Sequence, residues 1–178
     1  DLLALIGDSA DGIPGLPAPV EVFANGNRLF AFDFNQIRGP LSLPPATYAL
    51  EVRLNGVPVL TGSATVASGK DYTVIAHPKV GSGNALTVFE NDVTPIDVGK
   101  SRLTVRHLAN APAVDVKLEQ RGNVVATIPN LTNPNQVVTP VGRGDYEASI
   151  FAAGTATRVL GPAPLRLERG VAYLVHTI

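Results

Sequence analysis

"YALEVRLNGV", residues 48–57, alternates apolar and polar side chains and then breaks at Asn55-Gly56. Successive side chains of an extended chain point to opposite faces, so Tyr48, Leu50, Val52 and Leu54 share one face, and Glu51 and Arg53 share the other. Asn-Gly readily takes the left-handed conformations of a two-residue hairpin turn. The stretch therefore reads as a half-buried strand folding back on a second one.

The same reading extends in both directions. Leu103 to Leu108 alternates in the same way, Asn25-Gly26 offers another hairpin turn, and Pro44-Pro45, Gly142 and Gly144 set up turns before tyrosine-bearing strands. With 17 Gly and 15 Pro, little room is left for an uninterrupted helix. Strands are expected at 2–6, 19–24, 28–33, 40–43, 47–54, 57–66 and 71–77, with one at 85–90 or 101–108. Others follow at 113–119, 123–128, 136–140, 145–151, 156–167 and 171–177.

The chain repeats itself. "PAPVEVFANG" (17–26) matches "NAPAVDVKLE" (110–119), "PATYALEV" (45–52) matches "RGDYEASI" (143–150), and "SGKDYTVIA" (68–76) matches "RGVAYLVHT" (169–177). Tyr48 pairs with Tyr146 and Tyr72 with Tyr173, at offsets that grow as loop insertions would make them grow. The fold expected is all-β, two tandem immunoglobulin-like antiparallel β-sandwich modules. The first spans 1–90, the second 101–178, and 91–100 links them. The four tyrosines are its expected structural anchors, each ring filling the gap between sheets while its hydroxyl reaches a backbone group at the rim.

Composition limits the function. Charged residues are 16% of the chain and the net charge is −1, so there is no field to gather nucleic acid. The absence of Cys excludes disulfides and thiolate metal sites. No apolar run is long enough to span a bilayer as a helix. The sequence starts at Asp1 without a charged n-region or a long apolar run, so a processed mature protein or an excised piece is expected, with a secreted, processed protein favoured.

Gly7-Asp8-Ser9 after an apolar run resembles the nucleophile block of the Gly-Asp-Ser esterases. Pro14, Pro17 and Pro19 preclude the helix that should follow, and Tyr173 stands where the Asp of an Asp-x-x-His pair ending at His176 is required. No catalytic residue is expected. His77, His107 and His176 share no ligand spacing, and the acids Glu90, Asp92 and Asp97, with Asn91, match no calcium loop. No metal or other cofactor is expected. Asn130-Leu131-Thr132 is a glycosylation sequon, and the absence of Trp removes the usual sugar-stacking platform.

At "HLANAPAVDV" (107–116) the sequence resembles a bacterial extracellular family catalogued as domain of unknown function 4397. Its members carry a run similar to His-Ala-Ser-Pro-Asp-Ala-Pro-Ala-Val-Asp-Val, then a Gly-Thr-Tyr strand and a Gly-x-x-Tyr-Thr-Val strand, often in tandem. His107, Ala109, Ala111 to Val116, "PATYALEV" and "GKDYTVIA" carry the likeness, which covers most of 17–77 and 101–177. The first module departs from it, with Glu21 where Asp is usual, so any role of the family's His and Asp transfers to His107 and Asp115 alone. The resemblance implies secretion or surface attachment, a β-sandwich and no demonstrated enzyme.

The function expected is therefore non-enzymatic: a secreted or cell-surface structural or adhesive protein, self-assembling into an extracellular filament or surface layer. Its partner would be itself or a cell-envelope component, and Leu2, Leu3, Ala4, Leu5 and Ile6 are the candidate assembly arm, with service to their own module as the alternative. A glycan- or metal-binding extracellular module is the competing expectation.

Overall fold

The computed structural model describes residues 2–6, 20–32 and 37–177, and every regular element among them is a β-strand. Hairpins form where two successive residues adopt positive φ. Asn25-Gly26 (49° and 77°) and Asn55-Gly56 (51° and 80°) do so, as does Arg121-Gly122 (52° and 79°), whose arginine gave no such signal.

The chain divides into two compact units, one ending at Val93 and the other running Thr94–Thr177. The first holds β1 (Leu2–Ile6), β2 (Val20–Ala24), β3 (Asn27–Phe32), β4 (Ile37–Leu41), β5 (Ala46–Leu54), β6 (Val57–Val66), β7 (Asp71–Pro78) and β8 (Asn84–Asn91). The second holds β9 (Lys100–His107), β10 (Val114–Gln120), β11 (Asn123–Leu131), β12 (Gln136–Gly142), β13 (Gly144–Ala152), β14 (Arg158–Leu167) and β15 (Ala172–Thr177). Residues 85–90 and 101–108, weighed as alternatives for one strand, each contribute a strand of their own.

Each unit is a pair of sheets. In the first the orders are β4-β1-β7-β8 and β3-β2-β5-β6; in the second they are β12-β9-β15 and β11-β10-β13-β14. The connectivity is the same strand for strand, except that β8 has no counterpart among the described residues. Registers agree as well: β1 runs parallel to β7 with Leu2 opposite Tyr72, and β9 runs parallel to β15 with Leu103 opposite Tyr173. Val22 faces Val52 across β2 and β5, and Val116 faces Ile150 across β10 and β13.

Apolar side chains from both sheets close each interior. In the second unit Leu103, Val105 and Val141 of one sheet pack against Val116, Leu118 and Leu167 of the other. In the first, Tyr72 and Val74 meet Leu50, Ala64 and Val66. Burying such side chains contributes roughly 1.5–3 kcal/mol each, which makes sandwich interiors the main source of stability.

The candidate arm Leu2–Ile6 is β1, which pairs antiparallel with β4 and parallel with β7. Backbone groups on both its sides are engaged within its own sheet. Here the strand serves its own unit, and its edges are closed to a neighbouring molecule. Ser9 and Pro14, Pro17 and Pro19 lie outside the described residues.

Candidate functional site

The family-like stretch 107–116 ends β9, turns, and begins β10. His107 is 1% exposed. Its Nε2 lies 2.9 Å from the Pro112 carbonyl, which accepts only, so Nε2 carries the proton. Nδ1 lies 3.1 Å from the Thr177 hydroxyl, which also reaches the Arg106 carbonyl at 3.3 Å. Both ring nitrogens are occupied, and the imidazole ties the two ends of its own loop together.

Asp115 joins a bulge in β11 to the loop after β13. One carboxylate oxygen accepts the Asn130 N–H at 2.8 Å and the other the Gly154 N–H at 2.9 Å. Those two backbone bonds, Asn130 first, hold the carboxyl below its ordinary range because they favour the charged form. Asn130, the sequon residue, sits at φ 51°, a turn conformation that Asn tolerates and that the carboxylate fixes. Asn133 donates to the Ala109 carbonyl at 2.8 Å, and the Ala153 N–H to the Ala113 carbonyl at 3.2 Å. Three loops at this end of the second unit, 108–113, 132–135 and 153–157, are thus held as a set. In the first unit, Glu21 instead pairs with Arg28 across the β2–β3 hairpin at 2.6 Å.

The other histidines lie elsewhere. His77, fully buried, has Nδ1 2.8 Å from the Pro78 carbonyl and Nε2 2.8 Å from the Thr87 hydroxyl, and burial lowers its pKa. His176 stands opposite Arg106 on β9, whereas His107 stands opposite Thr177, so the strand alternation sends His107 and His176 to opposite faces. Burial, then the neighbouring Arg106 charge, pushes the His176 pKa down to about 4, and its buried Nδ1 has no hydrogen-bond partner among the described residues. Among the linker acids, Glu90 pairs with Lys70 at 2.5 Å, while Asn91 bonds Asp71 and Thr73. Among the described residues no three His, Asp or Glu side chains group as a metal site would require. The Thr177–His107 pair has the partners of a hydroxyl nucleophile and its base, but both are buried and out of reach of a substrate.

The tyrosines anchor the opposite end of each sandwich. The Tyr48 hydroxyl donates to the Pro44 carbonyl and that of Tyr146 to the Gly142 carbonyl, each at 2.8 Å and four residues back. The Tyr173 oxygen accepts the Glu168 N–H at 2.9 Å, and Tyr72 lies in the first unit's interior. Beside Tyr146 an open cleft of about 420 Å³ is lined by Glu119, Arg121, Asp145, Glu147 and Pro164. Glu119 faces Glu147 directly across the strands, a like-charge pair that a polar or cationic group would relieve.

The outer faces carry a feature that the repeat alone did not disclose. The Arg53 guanidinium lies 4.1 Å from the centre of the Phe23 ring, and Lys117 Nζ lies 4.2 Å from that of Phe151. Phe23 matches Lys117 and Arg53 matches Phe151, so one diagonal pair occurs twice with cation and ring exchanged.

No curated protein matches the chain. Among solved structures, the Bacillus anthracis TIE protein is similar, at 15% identity and a TM-score of 0.33, over 99% of this chain and 33% of that one. The chain therefore spans about a third of the length of that solved protein. A family model, "Domain of unknown function (DUF4397)", matches residues 10–117, from the first unit across into β10 of the second. With more than half of its length matched, the chain belongs to the DUF4397 family.

Proposed function

We propose that the chain carries two copies of the family's module and is a non-enzymatic structural or adhesive protein of the cell surface or extracellular space, built to associate with itself or with a cell-envelope component. One observation carries this reading: His107 and Asp115, the polar side chains of the family motif, direct their hydrogen bonds to nearby backbone groups and a buried threonine. Groups engaged in this way shape a surface and leave no spare base, nucleophile or ligand. Secretion accords with the composition and with the family resemblance.

Sedimentation and electron microscopy of the purified protein over a concentration series test the reading, and concentration-dependent association or ordered polymers are expected. A protein that stays monomeric throughout and is stabilised against heat by a glycan or a divalent cation would instead favour a ligand-binding module. For that second reading the acidic cleft beside Tyr146 is the place to look.

A further inference from the structure

We infer that β15 is a self-pairing edge, through which two copies of this chain join antiparallel about a two-fold axis at Leu174. The inference rests on the self-association proposed above and names its surface.

Three observations converge on this edge. In the first unit, β7 is flanked by β1 and β8, but among the described residues its counterpart β15 pairs with β9 alone. Exposure follows: Thr73 is fully buried whereas the equivalent Leu174 is 41% exposed, and Val171 beside it is also 41% exposed. The first unit thus shows what this edge accepts, an antiparallel strand.

The second observation is chemical. Edge strands usually carry a proline or a charge that discourages pairing with another chain. Here β3 has Arg28, β4 Pro40, β6 Pro58, β8 Glu90, β11 Pro129, β12 Pro140, and β14 Pro162 and Pro164. Among the described edge strands, β15, "AYLVHT", is the one with neither a proline nor an Asp, Glu, Lys or Arg.

The third is register. The Val171 carbonyl accepts from Arg102 and the Thr177 carbonyl from Leu108, so odd-numbered residues of β15 face β9. Ala172, Leu174 and His176 therefore present their N–H and C=O groups to the open side. That set is symmetric about Leu174. A second copy laid antiparallel places Leu174 opposite Leu174 and Ala172 opposite His176, and makes about six backbone hydrogen bonds, two for each facing pair. It also joins two apolar rows, since Val138, Thr104 and Leu174 lie abreast across the sheet, with Val138 38% exposed. An isologous contact of this kind closes as a dimer.

The chain has no cysteine, so single-cysteine variants report register directly. Under mild oxidation Leu174→Cys should link to itself. Ala172→Cys alone should not, while a mixture of Ala172→Cys and His176→Cys should yield the mixed dimer. In sedimentation equilibrium Leu174→Lys should weaken the dimer about tenfold or more while the unfolding curve stays cooperative. A monomeric wild type, or Ala172→Cys linking to itself as readily as Leu174→Cys, would overturn the inference. If Leu174→Cys fails to link while the wild type still associates, this edge is wrong and the self-association reading survives. If the wild type associates at no concentration, both fall.

Discussion

The Tyr146 hydroxyl donates to the Gly142 carbonyl at 2.8 Å, and Tyr48 repeats the bond to Pro44 at the same length and spacing. Each bond pins the turn that enters a central strand to the ring that fills the sandwich beside it. Tyr146 is 8% exposed, so its bond is sheltered from competing water. Tyr146→Phe leaves the ring in place and removes only the donor, and about 1 kcal/mol of stability should be lost. Tyr48→Phe, in a more exposed setting, should lose less. Urea unfolding of each variant beside the wild type checks the order, and equal losses would contradict it.

Asp115 ties the β11 bulge to the 153–157 loop through both oxygens of its carboxylate. Its pKa lies below 3.8 in the folded chain, so its stabilising contribution is fully present above the unfolded value and fades as pH falls through the folded one. Asp115→Asn keeps one acceptor oxygen and sets an NH2 group against the second N–H. Hydrogen exchange at the Asn130 or Gly154 amide should quicken, the thermal midpoint near neutral pH should fall, and the acid limb of the stability curve should flatten below pH 4.

His176 acts in a different window. Its folded pKa of about 4 lies below the ordinary 6.5, so the unfolded chain takes up a proton first. Stability from the neutral ring is complete above about pH 6.5, declines as pH falls from there, and levels off near pH 4. His77, also lowered by burial, adds a slope of the same sign. His176→Leu should remove part of the decline between pH 6.5 and 4 and leave the remainder to His77. Thermal midpoints measured across that range would contradict the assignment if the slope were unchanged.

The exchanged cation and ring pairs predict a rescue. Lys117→Ala or Phe151→Ala should each lose the contact, at about 0.5–1 kcal/mol. The double exchange Lys117→Phe with Phe151→Arg recreates the arrangement of Phe23 and Arg53, and should recover most of that coupling in a double-mutant cycle. Strictly additive losses would show that the rings and cations do not interact.

Strand positions were legible because their signals are local. Alternation from Tyr48 to Leu54 and the Asn55-Gly56 turn act over a few residues, so strands expected at 28–33 and 145–151 are found at Asn27–Phe32 and Gly144–Ala152. The Arg121-Gly122 turn escaped because the two flanking strands, not the arginine's preference, impose its φ of 52°.

Pairings between distant segments followed another logic. No pattern within "LLALI" states that it will lie parallel to a strand some 70 residues later, with both edges occupied. Nor does "HLANAPAVDV" reveal that Asp115 will reach amides 15 and 39 residues away, or that β15 will have an open side where β7 has β8. Periodicity and turn chemistry are properties of neighbours along the chain, and these were enough for an all-β fold. Which edges close, which stay open and which polar atoms meet depend on loop closure and on burial shared among remote strands, and those energies exist only once the sheets have packed.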